Sequence, residues 1–147
     1  MTAPGSHPRS SMIDIDASFL PIGHMRQVSR VNHLEGPAIE GEIDIGAGHW
    51  VFPEHFPTDP IFPGTLMIEA AGQLVALWAW ANGQQGRPRL VRATAEFHSP
   101  VGPDDPSIAL RAVVRRKRHL HFSTVTIWAG ETHSATIEVV LAVLPAA

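Results

Sequence analysis

The sequence predicts an α+β chain in which an antiparallel sheet curls around one long, buried helix. Two observations carry this expectation. From Thr65 to Ala81 the chain is apolar on nearly every helical face, and several other segments alternate apolar and polar residues with a period of two. A helix without a polar face must be covered all round, and half-buried antiparallel strands supply such a cover. With 147 residues, 44% hydrophobic and 17% charged, the chain has material for one domain and one core, read here as residues 12–147.

Each element follows from local chemistry. Met1 to Ser11 is rich in Pro, Gly and Ser and lacks the apolar core of a secretory signal, so residues 1–11 read as a flexible leader. Met12 to Asp16 opens the ordered part. Gln27–Leu34 and Ala38–Ile45 read as two strands about a turn at Glu35-Gly36-Pro37, with Ile39, Ile43 and Ile45 on one face. Gly46 to Pro63 carries Pro at 53, 57, 60 and 63; each removes a backbone donor and restricts its predecessor, so no regular helix fits there. After Pro63-Gly64 the residues Ala, Leu and Met favour a helix, which stops at Asn82-Gly83. Glu69, Gly72 and Gln73 interrupt its apolar run, so it reads as a buried core helix rather than a membrane span. Trp78 and Trp80 belong to its core or to a contact with a second chain.

The remainder is strand-like. Leu90–His98 precedes a turn at Gly102-Pro103-Asp104-Asp105-Pro106. Ser107–Arg118 places Ile108, Leu110, Ala112 and Val114 on one face. In His119–Ala129 the residues Leu120, Phe122, Thr124, Thr126 and Trp128 share a face, which leaves His119 and His121 on the exposed side. Ser134–Leu144 places Ala135, Ile137, Val139, Leu141 and Val143 together.

Composition excludes several classes of chemistry. There is no cysteine, so disulfides, thiolate nucleophiles and cysteine zinc sites are absent. A net charge of −3 gives no sign of nucleic-acid binding. No glycine-rich phosphate loop calls for a nucleotide cofactor, and no Ser or Cys nucleophile motif is evident. His49 and His55 with Glu54 or Glu69 match no established metal-ligand spacing, so no metal is expected.

Three positions suit acid–base chemistry. Glu69 sits one turn into the apolar helix, where a carboxylate is costly unless it is paired or functional. Burial favours the neutral form of a carboxyl group, which is the form a general acid needs. Gln73 lies four residues on, within hydrogen-bonding reach. Helix pattern alone is equally served by Glu69 on a solvent or interface stripe. His55, held in a proline-constrained loop, is a candidate base near neutral pH. Gly64 stands at the helix start, where free N–H groups and the dipole can hold an oxyanion; it serves equally as a loop-to-helix hinge. Base, acid and oxyanion site together suit elimination next to a carbonyl better than hydrolysis.

The segment His49-Trp50-Val51-Phe52-Pro53-Glu54-His55-Phe56-Pro57-Thr58-Asp59-Pro60-Ile61-Phe62-Pro63-Gly64-Thr65-Leu66-Met67-Ile68-Glu69-Ala70 resembles the 3-hydroxyacyl-acyl carrier protein dehydratases of bacterial fatty acid and polyketide synthesis. Their pattern is H-F, then P, then P-G-x-L, with an acidic residue five after the Gly and fourteen after the His; Glu69 satisfies both spacings from Gly64 and His55. Gln73 matches a position where the family often has Gln. Phe97-His98-Ser99-Pro100-Val101-Gly102-Pro103-Asp104-Asp105 resembles the family's F-x-x-P-V-x-P-G-D turn, with Asp104 departing from that pattern at its Gly.

The resemblance implies a hot-dog fold and a dimer whose sites each take His from one subunit and the acid from the other. It implies that His55 abstracts the C2 proton, that Glu69 protonates the leaving C3 hydroxyl, and that the Gly64 N–H binds the thioester carbonyl. It implies no cofactor beyond the phosphopantetheine that carries the acyl group, an acyl carrier protein as partner, and a cytoplasmic enzyme. Glu at the acid position is usual in the branch that only dehydrates. Trp50-Val51-Phe52, Asp59-Pro60 and Gln73-Leu74-Val75 resemble the branch that also isomerises.

Two rivals remain open: an acyl thioesterase on the same fold, and a non-catalytic subunit that pairs with a paralogue. The run Arg115-Arg116-Lys117-Arg118 is a solvated strand end or a dock for the acidic carrier, with Arg87, Arg89 and Arg92 as competitors for that role.

Overall fold

The computed structural model describes residues 13–146; the expected leader, residues 1–11, lies outside them. Six strands and one long helix make up the described chain: β1 (Arg30–Glu35), β2 (Ala38–Asp44), α1 (Gly64–Ala81), β3 (Gly86–Phe97), β4 (Ser107–Lys117), β5 (Leu120–Ala129) and β6 (Thr132–Pro145). The strands form one antiparallel sheet in the order β1-β2-β4-β5-β6-β3. It wraps α1, which packs against β2, β3, β4, β5 and β6. This is the hot-dog fold.

Why α1 sits there is readable from its residues. Pro63, with φ −64°, precedes the first turn, and four prolines keep the preceding loop out of helix. At the far end Asn82 donates its side-chain amide to Trp78 O at 2.9 Å, and Gly83 takes φ +89°, a left-handed cap. From Gln73 to Trp80 every residue is buried. The helix passes directly over β2 at Gly41. A Cβ there would lie 2.9 Å from Arg30 O and 3.0 Å from the Leu74 side chain, so only glycine admits the approach.

The sheet matches the expected alternation in β4, where Ile108, Leu110, Ala112 and Val114 are buried, and in β6 from Ala135 to Val143. β5 is reversed. Its buried residues are His121, Ser123, Val125 and Ile127, while Phe122, Thr124 and Trp128 lie on the outer face. The register explains this: Phe122 stands opposite outward-facing Arg115, and Val125 opposite buried Ala112. His119 falls in the turn and is exposed, whereas His121 is wholly buried. β3 also begins earlier than expected, at Gly86, and runs through Pro88. Among the described residues it pairs only with β6, and an edge strand tolerates a missing donor. Among the described residues no helix is long and apolar enough to cross a membrane.

Candidate active site

The first turns of α1 are where the buried helix opens. Leu66, Ile68, Glu69 and Gly72 are only partly buried. Glu69 lines a cavity of about 340 Å³, together with Ile68, Gly72, Gln73 and Ala76 of the same helix. Pro88, Leu90 and Leu141 form the sheet side of this cavity.

Gln73 holds Glu69 in place. Its amide Nε2 donates to Glu69 Oε2 at 2.9 Å and to Met25 O at 2.7 Å. Its Oε1 accepts from the N–H groups of Gln27 at 2.8 Å and Val28 at 3.2 Å. Every hydrogen-bonding position of the amide is therefore used, which fixes its orientation. The consequence for chemistry is specific: Oε2 of Glu69 is an acceptor, so a proton on the carboxyl group belongs on Oε1. The strap from Met25 to Val28 that secures Gln73 is a part of the site that sequence reasoning missed; no motif marks it.

His55 is held separately. Its Nδ1 lies 3.1 Å from Ile61 O, and a carbonyl only accepts, so Nδ1 carries the proton and a neutral ring presents Nε2 as a base. The surrounding loop is tied by His55 N–H to Val51 O, Ile61 N–H to His55 O, and reciprocal bonds between Phe56 and Asp59. The His55–Phe56 peptide bond is cis. His55 is not among the residues that line the cavity holding Glu69.

Gly64 is the first residue of α1, where its N–H has no acceptor within the helix. A Cβ on Gly64 would lie 2.6 and 2.7 Å from carbons of the Phe97 ring, so glycine is required for Phe97 to lie against the helix start. Phe97, the last residue of β3, is 52% exposed, and the sequence places it in a strand and at the start of a turn without marking it as part of the site. In that turn Asp104 stands where the pattern has Gly, and Asp105, at the pattern's Asp, ties the turn. Its backbone N–H donates to Gly102 O at 3.0 Å, and its carboxylate accepts from Gly102 N–H at 3.1 Å.

A cluster of imidazole and indole rings flanks the loop. His24 stacks on Trp50 with centroids 4.2 Å apart and planes at 7°, and His49 contacts Trp50, Phe52 and Phe62. Burial, then the charge of His24, pushes the His49 imidazole below its ordinary range. Among the described residues no group of three or more His, Asp or Glu side chains converges on a metal position.

Solved structures share this architecture at low sequence identity. AziG of S. sahachiroi superposes with a TM-score of 0.62 at 14% identity, covering 78% of this chain and 90% of that one. A thioesterase of Pseudomonas aeruginosa gives 0.62 at 12% identity, covering 79% and 81%. The E. coli PaaI protein from the phenylacetic acid degradation operon gives 0.62 at 13%, covering 76% and 80%. At these identities the likeness is one of fold. The sequence itself matches a family model, described as the FabA-like domain, over residues 20–138, a span that contains the His55 loop, all of α1 and most of the sheet; the chain belongs to the FabA-like domain family.

Proposed function

We propose that the chain acts on an acyl thioester and removes water from its 3-hydroxyacyl group, with Glu69 as acid and His55 as base. The observation that carries the reading is the fixed carboxyl group of Glu69, tied by Gln73 through Oε2 and lining a cavity. In the reaction His55 Nε2 takes a proton from C2, the C2–C3 double bond forms, and Glu69 Oε1 delivers its proton to the departing C3 hydroxyl. Water leaves; solvent then deprotonates His55 and reprotonates Glu69. Gly64, at the positive end of α1, would hold the thioester oxygen as charge develops there. No cofactor is needed beyond the phosphopantetheine arm that presents the substrate.

A homodimer is part of this proposal, with a heterodimer with a paralogue as its variant. His55 does not line the cavity of Glu69, and among the described residues the outer edge of β3 is unpaired, with Leu90, Val91 and Phe97 exposed along the strand. A second chain on that edge would bring its own His55 loop to the site. An acidic carrier protein is the proposed donor of substrate. Arg89 lines the cavity itself, which favours the β3 arginines over the Arg115–Arg118 run at the β4–β5 turn.

Thioester hydrolysis is the second reading, and the structural neighbours favour it, since thioesterases share this fold. A helix-borne carboxylate beside a cavity would serve hydrolysis by orienting water. The two separate cleanly by mass spectrometry of a 3-hydroxyacyl pantetheine thioester incubated with the protein. Loss of one water with the thioester intact supports elimination. Release of free thiol and hydroxy acid replaces it with hydrolysis. An unchanged substrate across chain lengths refutes both.

A further inference from the structure

We propose that the stacked rings of His24 and Trp50 are a positioning pair, which joins, in each chain, the strap that holds the acid of one site to the loop that holds the base of the other. The inference rests on the acid–base reading and the dimer proposed above, and deepens them.

Three of the four hydrogen bonds of the Gln73 amide end on Met25, Gln27 and Val28, so the place of Glu69 Oε2 follows the place of this strap. The chain enters the strap through a short turn, Gly23–Met25, which Gly23 opens with φ +64° and which Arg26 N–H closes on Gly23 O at 3.1 Å. The turn buries no residue of its own. It is tied from two sides. Gln27 Nε2 donates to His24 O at 2.8 Å, and the exposed His24 imidazole lies flat on Trp50, with planes at 7°. A flat ring pair is a directional contact and fixes orientation as well as distance. Trp50 belongs to the loop of the base. His49 packs on it with centroids 5.5 Å apart, and the next residue, Val51, accepts the N–H of His55 at 2.8 Å. Within one chain, a continuous path of contacts thus runs from Glu69 through Gln73, the strap, His24, Trp50 and Val51 to His55. In the dimer these two residues serve different sites, so each stack holds one member of both. Misplacing a reacting group by about 1 Å can cost about a hundredfold in rate, so a contact that never touches substrate can still govern turnover.

The test uses dimers refolded from His55→Ala chains and Glu69→Ala chains. Only a mixed dimer then holds a complete site, with Glu69 from the first chain and His55 from the second. His24→Ala is placed in one chain or the other. Either placement is expected to lower kcat on a 3-hydroxyacyl pantetheine thioester about tenfold, with KM changed less. His24→Phe, which keeps a flat ring, is expected to recover most of the loss. Thermal melts show that each variant is folded, and substitution at exposed His24 leaves the core intact. No loss, loss from one placement only, or His24→Phe as slow as His24→Ala overturns the proposal. Inactive mixed dimers beside an active wild type overturn it as well. In parallel, NMR follows the His55 imidazole and the Gln73 side-chain amide in the otherwise native chain. His24→Ala should shift both signals, and His24→Phe should return them toward wild type. If wild type itself turns over no 3-hydroxyacyl thioester, the functional reading fails and these signals decide the link: both shifted sustains it, and either one unmoved overturns it.

Discussion

The two halves of α1 are made of similar residues and do different work. From Gly64 to Gly72 the helix is partly open, and it carries Glu69 beside a cavity. From Gln73 to Trp80 it is sealed, and it holds the sheet around it. Gln73 sits at the junction. The candidate site is the part of the core helix that the sheet leaves uncovered. Chemistry and stability should therefore respond to substitutions in different halves.

The largest expected effect is on activity. Glu69→Gln keeps the size and the hydrogen bond from Gln73 but cannot deliver a proton, so turnover should fall by about 10²- to 10⁴-fold, with little change in melting temperature. Leu74→Ala, five residues on, should do the reverse. Leu74 is wholly buried over Gly41, and its truncation should cost about 2–5 kcal/mol in denaturant unfolding, with turnover per folded molecule kept. If both substitutions changed both quantities equally, the division between the halves would fail.

Gln73→Ala sharpens the boundary because it should move both quantities. It strips partners from Gln27 N–H, Val28 N–H and Met25 O, each costing about 1–3 kcal/mol where no water replaces it. It also frees Glu69. Turnover measured beside unfolding should show loss in both, and loss in stability alone would leave Gln73 a purely structural residue.

The smallest effect concerns pH. His121, under the sealed half, is wholly buried and meets the Trp78 ring edge-on. Burial, then the charge of Arg116, pushes its imidazole below the ordinary range. The unfolded chain takes that proton at about pH 6.5. Between that pH and the lowered folded value the unfolded state binds more protons than the folded one, so stability falls as the solution is acidified through this window, and it is level above and below it. Unfolding curves across this range should lose that acid-side slope in His121→Leu. An unchanged slope would assign it to other groups.

How much of this was legible in the sequence differs by region. The helix, its caps and the proline loop follow from local chemistry, because Pro63, Asn82 and Gly83 act within a few residues. The spacing of His55, Gly64, Glu69 and Gln73 is local in the same sense. β5 was not legible. Leu120, Phe122 and Trp128 on one parity compete with Val125 and Ile127 on the other, and only pairing with β4 decides which face turns inward. The start of β3 was hidden by Pro88 and its arginines, which an edge strand accepts. The cavity was out of reach as well, since it joins Phe19, Gly72, Leu90 and Leu141 across distant segments.

The central claim is that one site is made by the His55 loop of one chain and the open helix end of another. The most direct measurement is turnover by His55→Ala, by Glu69→Ala, and by the two unfolded and refolded together. Each variant alone should be inactive. The mixture should recover up to about a quarter of wild-type activity, because random pairing makes half the dimers mixed and each mixed dimer holds one intact site of two. A mixture that forms dimers yet stays as inactive as its components would contradict the account.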